Sequence, residues 1–192
     1  MTRDPLDDFT RTTFSFDGTE RAVYRQGEGT AVIVMAEIPG ITPAVASFAR
    51  RVVARGHTVY LPHLFGDPGA EMAPPGVVRS IVPACVAREF QAFALRTTAP
   101  AIDWLRALAR QAHAECGGPG VGAVGMCFTG GFALAMSTEP SMLAPVLSQP
   151  SLPFGITAKH RHSIDISPAD LAVVKHRCAA EGLEVLGLRF KS

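Results

Sequence analysis

The chain has 192 residues, of which 47% are hydrophobic and 18% charged, and its formal net charge is +1. That profile describes one globular domain over residues 1–192 with enough apolar material for a sizeable core, and it excludes a disordered chain. Near-neutral charge with scattered basic residues removes the electrostatic case for nucleic acid or an acidic membrane surface. No run of about 18 apolar residues exists to span a bilayer. The polar, acidic start MTRDPLDDF is unlike a secretory leader, so the expected location is the cytoplasm.

In chain order, residues 12–16 alternate apolar and polar side chains, meet the turn pair Asp17-Gly18, and return through residues 21–25 as an antiparallel hairpin. Residues 30–38 form a near-continuous apolar run, the pattern of a strand covered on both faces in a parallel sheet. Thr42-Pro43 then supplies a cap and a first-turn proline. Val45, Phe48 and Val52 share a helical face, and Gly56 stops the helix. A strand follows over residues 58–61. Residues 66–83, rich in Gly and Pro, read as a surface excursion.

A second helix begins near Pro100 with Ile102, Leu105, Ala109 and Ala112 on one face, and the glycines at 117, 118 and 120 break it. Residues 121–126 form a buried strand, 128–137 a helix and 145–147 a short strand. Ser167-Pro168-Ala169-Asp170 opens another helix with a cap, a proline and an acid near the positive dipole end. Gly182 ends it, and residues 184–190 form the last strand. Strands alternating with helices imply crossover units on a mostly parallel sheet, whose reactive groups gather beyond the carboxyl ends of the strands. Glu37, His63 and Cys127 all fall at or just after such ends.

The four cysteines, at 85, 116, 127 and 178, are far apart with no C-x-x-C pair, so neither a disulfide framework nor a zinc site is expected. Most cysteines are small buried hydrophobes; Cys178 reads this way because it shares a helix face with Leu171 and Val174. Cys127 is different. It sits in "GMCFTGG", at a corner between an apolar strand and an apolar helix. A nucleophile on a strained strand-to-helix turn needs small neighbours, because larger side chains would collide there. Gly125, Thr129 and Gly130 fill that need. The corner would point the thiol out of the sheet toward the free N–H groups and positive dipole end of the following helix, which favour a thiolate. The N–H of Phe128 is placed to stabilise an oxyanion. Glycines 120, 122 and 125 also match the letters of a dinucleotide fingerprint, but they precede and build a strand where that motif follows one.

"VIVMAEIPGITP" and "GVGAVGMCFTGGFALAM", with the order hairpin, strand-Glu, helix, strand-"LPHLF", helix, strand-Cys, helix, resemble the dienelactone hydrolase family, the cysteine branch of the α/β-hydrolases. The resemblance implies a three-layer α/β-hydrolase-type fold, mostly parallel, with the antiparallel hairpin at its N-terminus. It implies hydrolysis of a small ester or lactone through a thioester, with no metal or organic cofactor and a small-molecule substrate as partner. It assigns Cys127 as nucleophile, Glu37 as the carboxylate that accepts the thiol proton, and the backbone amides of Ile38 and Phe128 as oxyanion donors. A partly desolvated carboxylate at the end of an apolar strand suits that role on physical grounds.

The family places its acid after the next-to-last core strand and its histidine after the last. The corresponding strand here is 184–190 in a chain of 192, so the resemblance implies that the last strand and helix are missing and leave an apolar sheet edge. His63, His160 and His162 are the in-chain candidates to substitute, although each reads more readily as a packed or solvated loop residue. Relatives acting on dienelactone carboxylates look to use arginines. The stretch after Phe65 has none before Arg79, which argues against dienelactone itself. Two other readings stay open: a non-turnover relative with a reactive or redox-sensitive thiol, and a non-catalytic module whose glycine turn cradles a small anion.

Overall fold

The computed structural model describes residues 3–71, 100–150 and 166–190. β1 (Thr10–Phe16) and β2 (Thr19–Gln26) form the expected hairpin, with Phe16 opposite Thr19. Asp17 and Gly18 both take positive φ, 48° and 72°, the type I′ geometry whose twist matches the strands it joins. Five further strands follow: β3 (Ala31–Met35), β4 (Thr58–Pro62), β5 (Val121–Met126), β6 (Met142–Ser148) and β7 (Leu186–Leu188). Among the described residues the sheet order is β1-β2-β4-β3-β5-β6-β7, parallel from β4 to β7 and antiparallel at the hairpin.

Helix α1 (Pro43–Val53) covers one face of the sheet; α2 (Pro100–Cys116), α3 (Gly130–Met136) and α4 (Pro168–Ala180) cover the other. This is why β3 is apolar at every position. Ile33 and Met35 enter the core with Trp104, Leu105 and Phe132, while Val34 and Ala36 enter the core with Val45, Ala46 and Ala49. The strand is shorter than the apolar run, because the chain turns away after Met35 and the Gly40 N–H donates to the Glu37 carbonyl. In α1 the Thr42 hydroxyl accepts the Val45 N–H, as its capping position requires. In α2 the predicted face of Ile102, Leu105, Ala109 and Ala112 is wholly buried, joined by Trp104 and Leu108.

α4 corrects one expectation. Its cap is as read, with the Ser167 hydroxyl accepting the Asp170 N–H, but Cys178 is exposed rather than buried. The buried stripe runs through Val174 and Arg177 instead. The Arg177 guanidinium donates to the carbonyls of Ser137, Glu139, Pro140 and Met142 and to the Glu181 carboxylate, so a buried cation satisfies the carbonyl-rich turn between α3 and β6. β7 is three residues long, not seven, and is the outer strand of the described sheet. Leu186, Leu188 and Phe190 are exposed there.

The N-terminal segment is clamped by Arg50 of α1, which reaches Asp4 at 2.6 Å and Asp8 at 2.7 Å, while Arg3 pairs with Asp67 at 2.7 Å. Hydrogen bonds from Arg50 hold the Asp4 and Asp8 carboxyls below the usual carboxylate range. A depressed folded-state value gives stability that is present in full above the unfolded value of about 4, and lost as pH falls through the folded value. Asp4→Asn/Asp8→Asn is therefore expected to flatten the loss of stability below about pH 4. Thermal melts followed by the fluorescence of buried Trp104 measure this; parallel acid profiles for variant and parent would refute it.

Candidate active site

β5 passes directly into a single 3-10 turn, Cys127–Thr129, and then into α3. The expected helix over 128–137 thus begins as a tighter turn, with the α-helix proper at Gly130. Cys127 stands at the junction with φ of 53°, a left-handed conformation in which a non-glycine residue stores strain of roughly 1–3 kcal/mol. Its side chain is half-buried. The chain reverses so tightly that a Cβ on Gly125 would lie 2.0 Å from the Thr129 carbonyl oxygen, and one on Gly130 would lie 2.9 Å from Pro150 Cβ. Space alone demands glycine at both.

Size explains a small residue at 129, but Thr129 does more than fit. It is fully buried, its Oγ1 accepts the Met126 N–H at 2.8 Å, and the same oxygen lies 3.0 Å from the carbonyl oxygens of Met35 and Met126. One side chain therefore joins the exits of β5 and β3. Sequence reasoning missed that link; the one available hint was a hydroxyl where size alone would accept glycine.

β3 brings Glu37 and Ile38 to the same edge. Met35 pairs with Gly125 in the parallel ladder, so Glu37 and Cys127 each follow the last paired position by two residues. Neighbouring strands run about 4.8 Å apart, which places both residues at one end of two adjacent strands. Glu37 and Ile38 are half-buried, and the Ile38–Pro39 peptide is cis. Gly40, at φ 133°, packs so closely that a Cβ there would lie 2.3 Å from the Phe65 carbonyl oxygen. Phe65 in turn meets the Phe128 ring at 6.0 Å between centroids, and Phe128 meets Phe132 edge-on at 5.0 Å. Phe65 and Phe132 belong to the main core, and Ile38, Phe128 and Leu147 pack against it. The sequence did not point to the contact of Phe65 with Phe128.

The histidines fare differently. His63 follows β4 and donates from Nε2 to the Gly66 carbonyl at 2.9 Å, lining an open polar cleft with Arg11, Thr13, Glu20 and Arg21 on the hairpin. His160 and His162, like Arg79 and Cys85, lie outside the described residues. A second group of ionisable side chains belongs elsewhere. Burial, then the hydrogen bond to Glu115, pushes the Tyr60 hydroxyl well above its ordinary value, with Cys116 at 3.5 Å and Arg25 at 3.2 Å. Glu115 and Cys116 close α2, at the end of the sheet where β5 begins, opposite the Cys127 corner. Among the described residues no group of three or more His, Cys, Asp or Glu is placed to hold a metal, and no helix is long and apolar enough to cross a membrane.

With this geometry in place, comparison with known proteins is decisive at the level of family. The family model described as "Dienelactone hydrolase family" matches residues 20–167, well over half of the chain. The chain belongs to the dienelactone hydrolase family. It is a hydrolase of the dienelactone hydrolase type. A comparison with curated proteins gave no match. Among solved structures, a Klebsiella pneumoniae protein assigned as a dienelactone hydrolase superposes with a TM-score of 0.58 at 16% identity, covering 96% of this chain and 85% of that one. The structure named m3DLH gives 0.56 at 19% identity, covering 95% and 81%. A dienelactone hydrolase-like promiscuous phosphotriesterase from metagenomic libraries gives 0.52 at 16% identity, covering 94% and 80%. At such identities these likenesses speak to the fold: a mixed, mostly parallel seven-stranded sheet with an N-terminal antiparallel hairpin, as in α/β-hydrolases.

Proposed function

We propose that this dienelactone hydrolase-family chain cleaves small esters or lactones with Cys127 as nucleophile. The sulfur attacks the carbonyl carbon and Glu37 takes the thiol proton. The developing oxyanion is held by the backbone N–H groups of Ile38 and Phe128. Collapse expels the alcohol, which takes its proton from Glu37, and gives a thioester; water then attacks that thioester, passing a proton to Glu37 and on to the departing sulfur, so that the acid is released and the thiol restored. The observation that carries this reading is the left-handed Cys127 on a glycine-enforced corner, in register with the strand end that delivers Glu37. The half-buried state of Glu37 and the packing of its neighbour Ile38 and of Phe128 against the core support it, because such a carboxylate is partly desolvated.

The test is p-nitrophenyl acetate with time-resolved mass spectrometry. The expected result is an acetyl adduct on Cys127 that forms and decays during continuing turnover. An adduct that never decays would favour the non-turnover thiol, and absence of any adduct at Cys127 would favour a binding module.

A further inference from the structure

We infer that Thr129 is a positioning residue, whose hydroxyl fixes the distance between the nucleophile corner and the strand end carrying the carboxylate. The inference rests on the cysteine-hydrolase reading above and adds a residue to it. β3 and β5 pair as parallel strands from Val32 with Gly122 to Met35 with Gly125, and there the pairing ends. β5 stays paired with β6 as far as Met126 with Ser148, but its ladder with β3 has ended, and the Met126 N–H is taken by a side chain. That side chain is Thr129. Its oxygen accepts the Met126 N–H at 2.8 Å and lies 3.0 Å from the Met35 carbonyl oxygen, 94 positions away in sequence, and 3.0 Å from the Met126 carbonyl oxygen, so the one hydroxyl proton is shared between the two strand exits.

A hydroxyl has one proton and two lone pairs, so a single side-chain oxygen can take the N–H of one strand and donate to the carbonyl of the other. No apolar side chain can do this, and neither can glycine. Met126 immediately precedes Cys127, and Met35 lies two residues before Glu37 and three before Ile38. The hydrogen-bonded bridge therefore sits at the base of both arms of the site. Thr129 is fully buried, and Thr129→Val fills the space of the hydroxyl with a methyl group, leaving no room for water in its place.

Positioning predicts a specific signature. The Thr129 side chain is not among the groups assigned to touch substrate, so its loss leaves binding largely intact and acts on the step that needs thiol and carboxylate aligned. Thr129→Val keeps the shape and deletes the bridge. With p-nitrophenyl acetate it is expected to lower kcat about 100-fold while KM changes less than about 3-fold, the scale set by a misplacement of roughly 1 Å. Thr129→Ser restores the hydroxyl and is expected to recover kcat to within about 5-fold of the parent. Thr129→Ala removes the same oxygen with less bulk and takes the place of the Val variant should that one fail to fold.

A second readout does not depend on turnover: the alkylation rate of Cys127 by iodoacetamide, followed on the Cys127 peptide so that exposed Cys178 does not interfere. That rate is expected to shift at least about 5-fold in the Val or Ala variant and to return in the Ser variant, since thiol reactivity follows its surroundings. A parent protein with no Cys127-dependent turnover defeats the hydrolase reading, and the alkylation series then still decides whether Thr129 positions the thiol. Folded Val or Ala variants with parental kcat and parental alkylation rate overturn the inference.

Discussion

Cys127→Ala is expected to lower kcat for p-nitrophenyl acetate at least about 1,000-fold, close to 4 kcal/mol of barrier, with the fold intact. Without the sulfur no thioester forms, and Glu37 and the oxyanion donors can then assist only direct attack by water, a far weaker nucleophile than a thiolate. Alanine at a left-handed position keeps the backbone strain and removes only the half-buried sulfur, so no new collision arises. Cys116→Ser and Cys178→Ser are the controls. Cys116 lies near Tyr60 at the far end of the sheet and Cys178 is exposed on α4, and neither change should move kcat more than about 2-fold. Steady-state rates together with circular dichroism measure this. Retention of more than a tenth of the parental kcat in the folded Ala variant would remove Cys127 from the mechanism.

How far the sequence reveals this site depends on the range of the interaction involved. The corner is readable because its causes are local: Gly125, Cys127 and Gly130 lie within six residues, and the steric demand between them is short-range. The hairpin is readable for the same reason, since Asp17 and Gly18 tolerate positive φ. The placement of Glu37 is readable at one remove, because an apolar strand followed by a turn implies a carboxyl end in a parallel sheet.

Long-range satisfaction of polar groups is what the pattern hides. Apolar periodicity put Cys178 inside, whereas the inward position on α4 is held by Arg177, whose partners are carbonyls on a segment some 40 residues earlier. Nothing in the spacing of Leu171, Val174 and Cys178 encodes those carbonyls. Thr129 is the same case at the active site, since its size is a local requirement but its hydrogen bond to Met35 is not. The overlong strand expectations have a third cause. Hydrophobicity continues past Met35 through Ala36 and Ile38 although the ladder has ended, because these residues pack as a turn against the two cores.

The other large effect belongs to Gly125→Ala, which is expected to destabilise the protein by at least about 4 kcal/mol and to lower its Tm by roughly 10 °C. The added Cβ would lie 2.0 Å from the Thr129 carbonyl oxygen, 2.6 Å from the Thr129 carbonyl carbon and 2.9 Å from Gly130 Cα. All three are backbone atoms, so no side-chain rotation relieves the contact. Relief requires opening the Cys127–Thr129 turn, which draws the Thr129 oxygen away from the Met126 N–H and the Met35 carbonyl. Overpacking and the loss of buried hydrogen bonds then add in the same place. Gly122→Ala, three residues earlier in the same strand, isolates the cause. The three atoms nearest its Cβ would be Val32 methyl carbons at 3.5 and 3.8 Å and the Ala144 carbonyl oxygen at 3.7 Å, ordinary contact distances. That variant should stay within about 1 kcal/mol of the parent and remain active, since alanine suits a strand better than glycine. Paired thermal melts and esterase assays separate the two. Equal stability and activity for both variants would mean that the corner has room the backbone geometry denies it, and a nucleophile held by that corner would no longer follow.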